Sequence, residues 1–134
     1  LRTKPANFPA TASHGSFPSK AADEKLKLTA AKTRMSAFAK TSPDLFDGFM
    51  LVSKTATRSG TFTTAQKELI ATTLSVAKGC DDCILYHVDA ARRHGADEAA
   101  LIEVLEVAVE MGGGPAVMYA GKALEAFRAL DRVP

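Results

Sequence analysis

Along this chain the apolar residues recur at helical spacing, and nowhere do they alternate with polar ones as a half-buried strand requires. Between residues 21 and 40, Leu26, Leu28, Met35 and Phe38 fall roughly on one stripe among alanines and lysines, which predicts a first helix. Ser42 followed by Pro43 reads as an N-cap with proline at the first helical position, and Leu45, Phe46, Phe49, Met50 and Val52 carry a second helix toward Gly60. Thr63 and Gln66 have the spacing of a capping box, so a third helix runs to about Lys78 with Leu69, Ile70, Leu74 and Val76 on its apolar side. Gly79 ends it. A fourth begins within Cys80-Asp81-Asp82-Cys83, carries Ile84, Val88 and Ala91, and stops at His94, where Gly95 supplies a left-handed closing residue. Asp97 caps a helix bearing Leu101, Ile102, Leu105, Val109 and Met111. The run Gly112-Gly113-Gly114-Pro115 breaks that helix, and residues 116–130 form the last.

The expectation is therefore an all-α fold, a compact bundle of about six helices with no internal repeat. Residues 1–20 differ in character. They hold Pro5, Pro9 and Pro18 and only Phe8 and Phe17 as large apolar groups, which predicts an extended arm, a tail or a clasp on a neighbouring subunit. Residues 21–134 are then one helical domain, since 134 residues fall within the usual size of a single unit.

Composition narrows the function more than the fold. With 46% hydrophobic and 24% charged residues the chain can fill a core, and a net charge of +2 gives no concentrated positive field for nucleic acid. The most apolar stretch, Ala99 to Ala120, is interrupted by Glu103, Glu106 and Glu110, so no membrane span is expected. The first twenty residues lack the unbroken apolar run of a secretory signal, and a cytoplasmic location is the expectation.

Both cysteines of the chain lie in one segment, Cys80-x-x-Cys83-x-x-x-His87, directly after a helix-ending glycine. Residues three and four apart share a helix face, so the three side chains form one stripe at the positive end of the helix dipole, which favours thiolate over thiol. Asp81 and Asp82 oppose that effect, because neighbouring negative charge raises a thiol pKa. Three readings compete. A structural disulfide closing so small a loop gains little chain entropy. Zinc would need a fourth ligand beside Cys80, Cys83 and His87, and neither His14 nor His94 belongs to a second ligand pair. A redox dithiol, in which one thiolate attacks and the other resolves, is the arrangement favoured by C-x-x-C at a helix start.

Lys67-Glu68-Leu69-Ile70, Gly79-Cys80-Asp81-Asp82-Cys83-Ile84-Leu85-Tyr86-His87 and Arg93-His94-Gly95-Ala96 together resemble the core of the carboxymuconolactone decarboxylase family. More narrowly they resemble its alkylhydroperoxidase D-like branch. A glutamate twelve residues before the first cysteine, the cysteine pair and a histidine four after the second stand in register, and Met111-Gly112-Gly113-Gly114-Pro115-Ala116 is also similar. The resemblance covers roughly Thr61 to Leu130. It implies an oligomer, a trimer or a hexamer, that reduces hydrogen peroxide or organic hydroperoxides without a bound cofactor or metal. Carried over residue by residue, Cys83 would be the peroxidatic cysteine, Cys80 the resolving one, and Glu68 with His87 the proton relay. The implied reductant is an external dithiol, a dihydrolipoyl group or a thioredoxin-like protein. Asp81-Asp82 departs from the branch, whose peroxidases carry a histidine or a small residue between the cysteines.

Two rival functions follow from the same residues. One is a decarboxylase or isomerase of a small lactone, with His87 and Glu68 as acid and base. The other is a zinc- or redox-sensing helical module. The remaining candidates have plainer readings. His94 suits a helix C-terminus, Glu103, Glu106 and Glu110 a solvated face, and Gly112 to Gly114 a helix break. Tyr86, Tyr119, Phe46, Phe49 and Phe62 are candidates for a pocket, although aromatics at helical spacing are usually core.

Overall fold

The structure, a computed structural model, describes residues 19–131, and among them it holds five helices and no strand. The arm expected over residues 1–20 lies outside the described residues as far as residue 18. Ser19 and Lys20 instead begin the first helix, α1 (Lys20–Thr41), with the Ser19 hydroxyl accepting from the Ala22 amide. Ser42 joins α1 to α2 (Pro43–Thr57): its N–H donates to the Phe38 carbonyl, while its own carbonyl accepts from Phe46. The capping box opens α3 (Thr64–Lys78) with both of its reciprocal bonds, at 3.1 and 2.9 Å.

Gly79 makes the turn that matters for the site. It sits at φ 67°, ψ 41°, the left-handed conformation that costs glycine nothing, and the Gly79 and Cys80 amides donate back to Val76 and Ser75. The chain thus reverses within three residues and enters α4 (Asp81–Arg93) with Cys80 as its N-cap. Any side chain at Gly79 would also press on the Tyr119 ring, 3.3 Å from where a Cβ would stand.

The last helix, α5 (Glu98–Leu130), contains the two final helices expected from the sequence, joined end to end. Gly113 leaves the helical conformation at φ 64°, ψ −145°, and the helical path resumes on both sides, so a kink replaces the expected break. Pro115 falls in the first turn after the kink, where its missing N–H would have no intrahelical partner. Five elements against about six therefore differ only at this joint.

The core lies among α3, α4 and α5, around Leu69, Val76, Ile84, Val88, Leu101 and Leu105, with Leu28 of α1 closing one side. Two expected stripes are corrected. Of the α1 set only Leu28 is buried, while Leu26 and Phe38 are exposed, and on α3 the inward face is Leu69, Thr72 and Val76 with Ile70 and Leu74 outside. The α2 helix buries none of its residues, and Leu45, Phe49, Leu51 and Val52 are each more than half exposed. No helix among the described residues is long and apolar enough to cross a membrane.

One buried charge anchors α4 to α1. Asp89 accepts from Arg92 at 3.1 Å and Arg93 at 2.9 Å, and the Lys32 ammonium stands 3.8 Å away. Burial by itself would raise the Asp89 carboxyl, but the hydrogen bonds from Arg93 and Arg92 and the charge of Lys32 outweigh it and hold the pKa below the ordinary value. A depressed folded-state pKa contributes stability above the unfolded value, lost as pH falls through the folded one. Asp89→Ala should therefore cost about 3 kcal/mol near neutrality, at the low end for a broken buried pair because the three cations reach solvent. Denaturant unfolding should show that cost shrinking below about pH 4, where the carboxylate begins to protonate in the unfolded chain, and disappearing as pH falls through the depressed folded-state value. An unchanged midpoint at neutral pH would remove Asp89 from the stabilising contacts.

Candidate active site

The turn at Gly79 and the pitch of α4 set the site. Cys80 caps the helix and Cys83 occupies its first turn, with the Cys83 amide donating to the Cys80 sulfur at 3.3 Å. The two sulfurs are joined as a disulfide, their Cα atoms 5.3 Å apart. In this state neither sulfur is the thiolate that zinc binding or nucleophilic attack requires. Among the described residues no group of three or more His, Cys, Asp or Glu side chains gathers as a metal site.

His87 lies one turn beyond Cys83 on the same face of α4, and its Nδ1 is 2.6 Å from the Glu68 carboxylate on α3. Glu68 and His87 are nineteen residues apart in the chain, and the helical hairpin turned at Gly79 brings them together. Glu68 is buried, its carboxylate with only 8% of the side chain exposed, whereas His87 is one-quarter exposed. A buried carboxylate needs a donor, and His87 Nδ1–H supplies it. With Nδ1 as the donor, a neutral His87 ring carries its acceptor at Nε2. The Tyr86 ring stands edge-on to the His87 ring, their centroids 5.3 Å apart.

Cys83 and His87 share a cleft of about 410 Å³ between α1, α2 and α4, within the size range of small-molecule sites. Met35, Phe49, Met50 and Tyr86 give it apolar walls, with Lys32, Arg34, Ser53 and Asp82 as polar groups. Cys80 is not among the lining residues. Of the aromatic candidates, Phe49 and Tyr86 line the cleft, Tyr119 packs over Gly79, and Phe62 is exposed. His94 ends α4 with its Nδ1 2.8 Å from the Ala90 carbonyl, and Glu103, Glu106 and Glu110 face solvent.

The two acids between the cysteines are not free charges. Asp81 accepts from Lys122 of α5 at 3.0 Å and Asp82 from Arg34 of α1 at 2.9 Å. The hydrogen bond to Asp81, with its charge, holds the Lys122 ammonium above the ordinary lysine value. Each carboxylate is thus held in an exposed ion pair to another helix, which offsets in part the negative charge the two acids bring beside the cysteines. Sequence reasoning missed both pairs, because residues 41 and 48 positions apart carry no local signal. It also missed Lys32, Arg34 and Ser53 in the cleft, although Met35 and Met50 were visible as apolar positions.

The model of the carboxymuconolactone decarboxylase family matches residues 43–126, which adds α2 to the stretch where the resemblance was evident. An uncharacterized protein of Cupriavidus necator is 47% identical over 109 residues, covering 81% of this chain and 96% of that protein. The uncharacterized protein 4 in the cox locus of Paracoccus denitrificans is 30% identical over 106 residues, covering 79% of this chain and 96% of its own. Among solved structures, an apo carboxymuconolactone decarboxylase family protein of Legionella pneumophila is 38% identical with a TM-score of 0.79, covering 82% of this chain and 98% of that one. A Thermotoga maritima member described as a candidate for a role in antioxidative response shares the fold, with a TM-score of 0.70 at 24% identity over 78% of this chain and 90% of that one.

Proposed function

The chain belongs to the carboxymuconolactone decarboxylase family, and from that premise we propose that it is a thiol-dependent peroxidase of the alkylhydroperoxidase D-like kind. The observation that carries this reading is the placement of Cys83 and His87 on one cleft wall, with Cys80 bonded to Cys83 and Glu68 bonded to His87. The disulfide is the oxidised half of the cycle. In the reduced half, His87 Nε2 takes the Cys83 thiol proton while Glu68 holds Nδ1–H. The Cys83 thiolate attacks the distal peroxide oxygen and the O–O bond breaks. The leaving alkoxide or hydroxide takes the proton back from His87, so the products are an alcohol or water and a Cys83 sulfenic acid. The Cys80 sulfur then displaces hydroxide from Cys83; the S–S bond forms and, with the Cys80 proton, water leaves. Two electrons pass from two thiols to one peroxide.

An external dithiol, a dihydrolipoyl group or a thioredoxin-like protein, returns the pair to thiols by exchange and becomes a disulfide itself, which places the cycle in a reducing compartment such as the cytoplasm. No cofactor takes part. The protein works as a homo-oligomer, a trimer or a hexamer: α2 buries nothing of its own, and Ile70, Leu74, Val107, Met111, Val117 and Met118 present further apolar surface.

The test is a thiol count on the reduced protein before and after one equivalent of cumene hydroperoxide, with peroxide followed in parallel and the particle mass read by light scattering. Loss of two thiols for each peroxide consumed supports the cycle, and a mass of three or six chains supports the assembly. Two thiols untouched by peroxide would bring forward small-lactone decarboxylation or isomerisation, for which the His87–Glu68 pair on the same cleft is an acid and base that needs no thiol. Thiols masked until a chelator frees them would mark the zinc-holding or sensing module instead.

A further inference from the structure

The cleft has a charge arrangement that reduction of a small, uncharged peroxide does not require. Its apolar part is built from Met35 on α1 and Phe49 and Met50 on α2, facing the Cys83 and His87 side of α4. Lys32 and Arg34 come from the same stretch of α1, and they differ in how fully their charges are used. Arg34 is engaged with Asp82, the carboxylate on the cleft wall, at 2.9 Å. Lys32 reaches toward Asp89, but at 3.8 Å it is the most distant of three cations around a carboxylate that Arg92 and Arg93 already hold at 3.1 and 2.9 Å. Its ammonium also stands 5.8 Å from the Tyr86 ring centroid, over a wall of the cleft and beside His87 in the chain. Three cations against one carboxylate leave positive charge unmatched, and Lys32 is the member of the set that lines the cleft.

We propose that the cleft binds an amphiphilic hydroperoxide bearing a carboxylate, with the carboxylate on Lys32, the chain against Met35, Phe49 and Met50, and the peroxide at Cys83. The geometry fits the chemistry on both counts. Apolar walls favour a hydrocarbon chain over bulk water, and an ammonium beside an aromatic face holds a carboxylate at the cleft edge without deep desolvation. The hydroperoxide part rests on the peroxidase reading above; the carboxylate subsite rests on the cleft alone.

The two parts are separable by experiment. Binding of decanoate and of decanol, matched in chain length, is measured by calorimetry on the disulfide form, where no turnover occurs. Decanoate should bind about fivefold tighter than decanol, the gain of one partly exposed ion pair. In Lys32→Met, which keeps most of the apolar stem, the preference should vanish, and in Lys32→Arg it should return. In turnover, the ratio of the KM for a fatty-acid hydroperoxide to that for cumene hydroperoxide should rise about fivefold in Lys32→Met. Equal binding of the two probes, binding of neither, or a preference that survives Lys32→Met would overturn the subsite. A preference that follows Lys32 in a protein that reduces no hydroperoxide would keep the carboxylate subsite and overturn the peroxidase reading instead.

Discussion

Cys83→Ser is expected to reduce peroxide turnover by more than about 10³-fold, because a hydroxyl in place of the thiol leaves the site without its nucleophile. Cys80→Ser should behave differently. It keeps the sulfur that opens on the cleft and loses the one that caps α4, so the first peroxide is still consumed and the cycle stops at the sulfenic acid. The paired measurement is peroxide consumed per chain in a single addition, with a sulfenic-acid trap such as dimedone read by mass spectrometry. Near zero and no adduct is expected for Cys83→Ser, and one peroxide with one adduct at Cys83 for Cys80→Ser. The reverse pattern would exchange the roles of the two cysteines. That outcome has a physical route, since Cys80 is the sulfur that accepts the Cys83 amide and so gains the local stabilisation of negative charge at the helix cap. Access to the cleft and proximity to His87 argue for Cys83; the hydrogen bond alone argues for Cys80.

What the sequence made legible were the features with a local cause. Capping at Ser42-Pro43 and Thr63-Gln66, closure at Gly79 and Gly95, and the Asp97 cap each depend on residues within one turn, and each stands where the spacing placed it. The shared face of Cys83 and His87 follows from helical pitch alone. Less legible was anything decided by which helix packs on which. Ile70 and Leu74 have the spacing of a core face, yet α4 and α5 cover the Leu69, Thr72 and Val76 face of α3. The apolar pattern of α2 marks a surface that something must cover, and a chain read alone cannot say whether the cover is its own core or another copy. The pairing of Asp81 with Lys122 and of Asp82 with Arg34 is invisible for the same reason. Two acids that by sequence argue against a thiolate are, in the fold, each held in an exposed ion pair that links α4 to α5 and α1.

Glu68→Gln carries the second large effect, an expected loss of about 10²–10³-fold in kcat/KM for peroxide. The amide matches the carboxylate in size, so packing around a side chain in the α3 to α4 interface is kept. Two things change. The negative charge that stabilises the imidazolium after proton transfer is gone, and the amide can present N–H to Nδ1, which would turn the ring to the tautomer with its proton on Nε2 and no acceptor toward Cys83. A merely structural role for Glu68 would give a different signature: a lowered unfolding midpoint and an equal loss of every thiol reaction. Oxidation of the dithiol by diamide draws on the same Cys83 thiolate but needs no acid for an alkoxide, so it should fall less in Glu68→Gln than peroxide reduction does. Wild-type peroxidase activity in a folded Glu68→Gln protein would remove the pair from the cycle. Combined with the cysteine variants, the same substitution also separates the rival chemistry, because an acid–base reaction on a lactone would lose its activity in Glu68→Gln and keep it in Cys83→Ser. The 2.6 Å bond between a buried carboxylate and a half-buried imidazole is common to both mechanisms, and only the sulfur beside it distinguishes them.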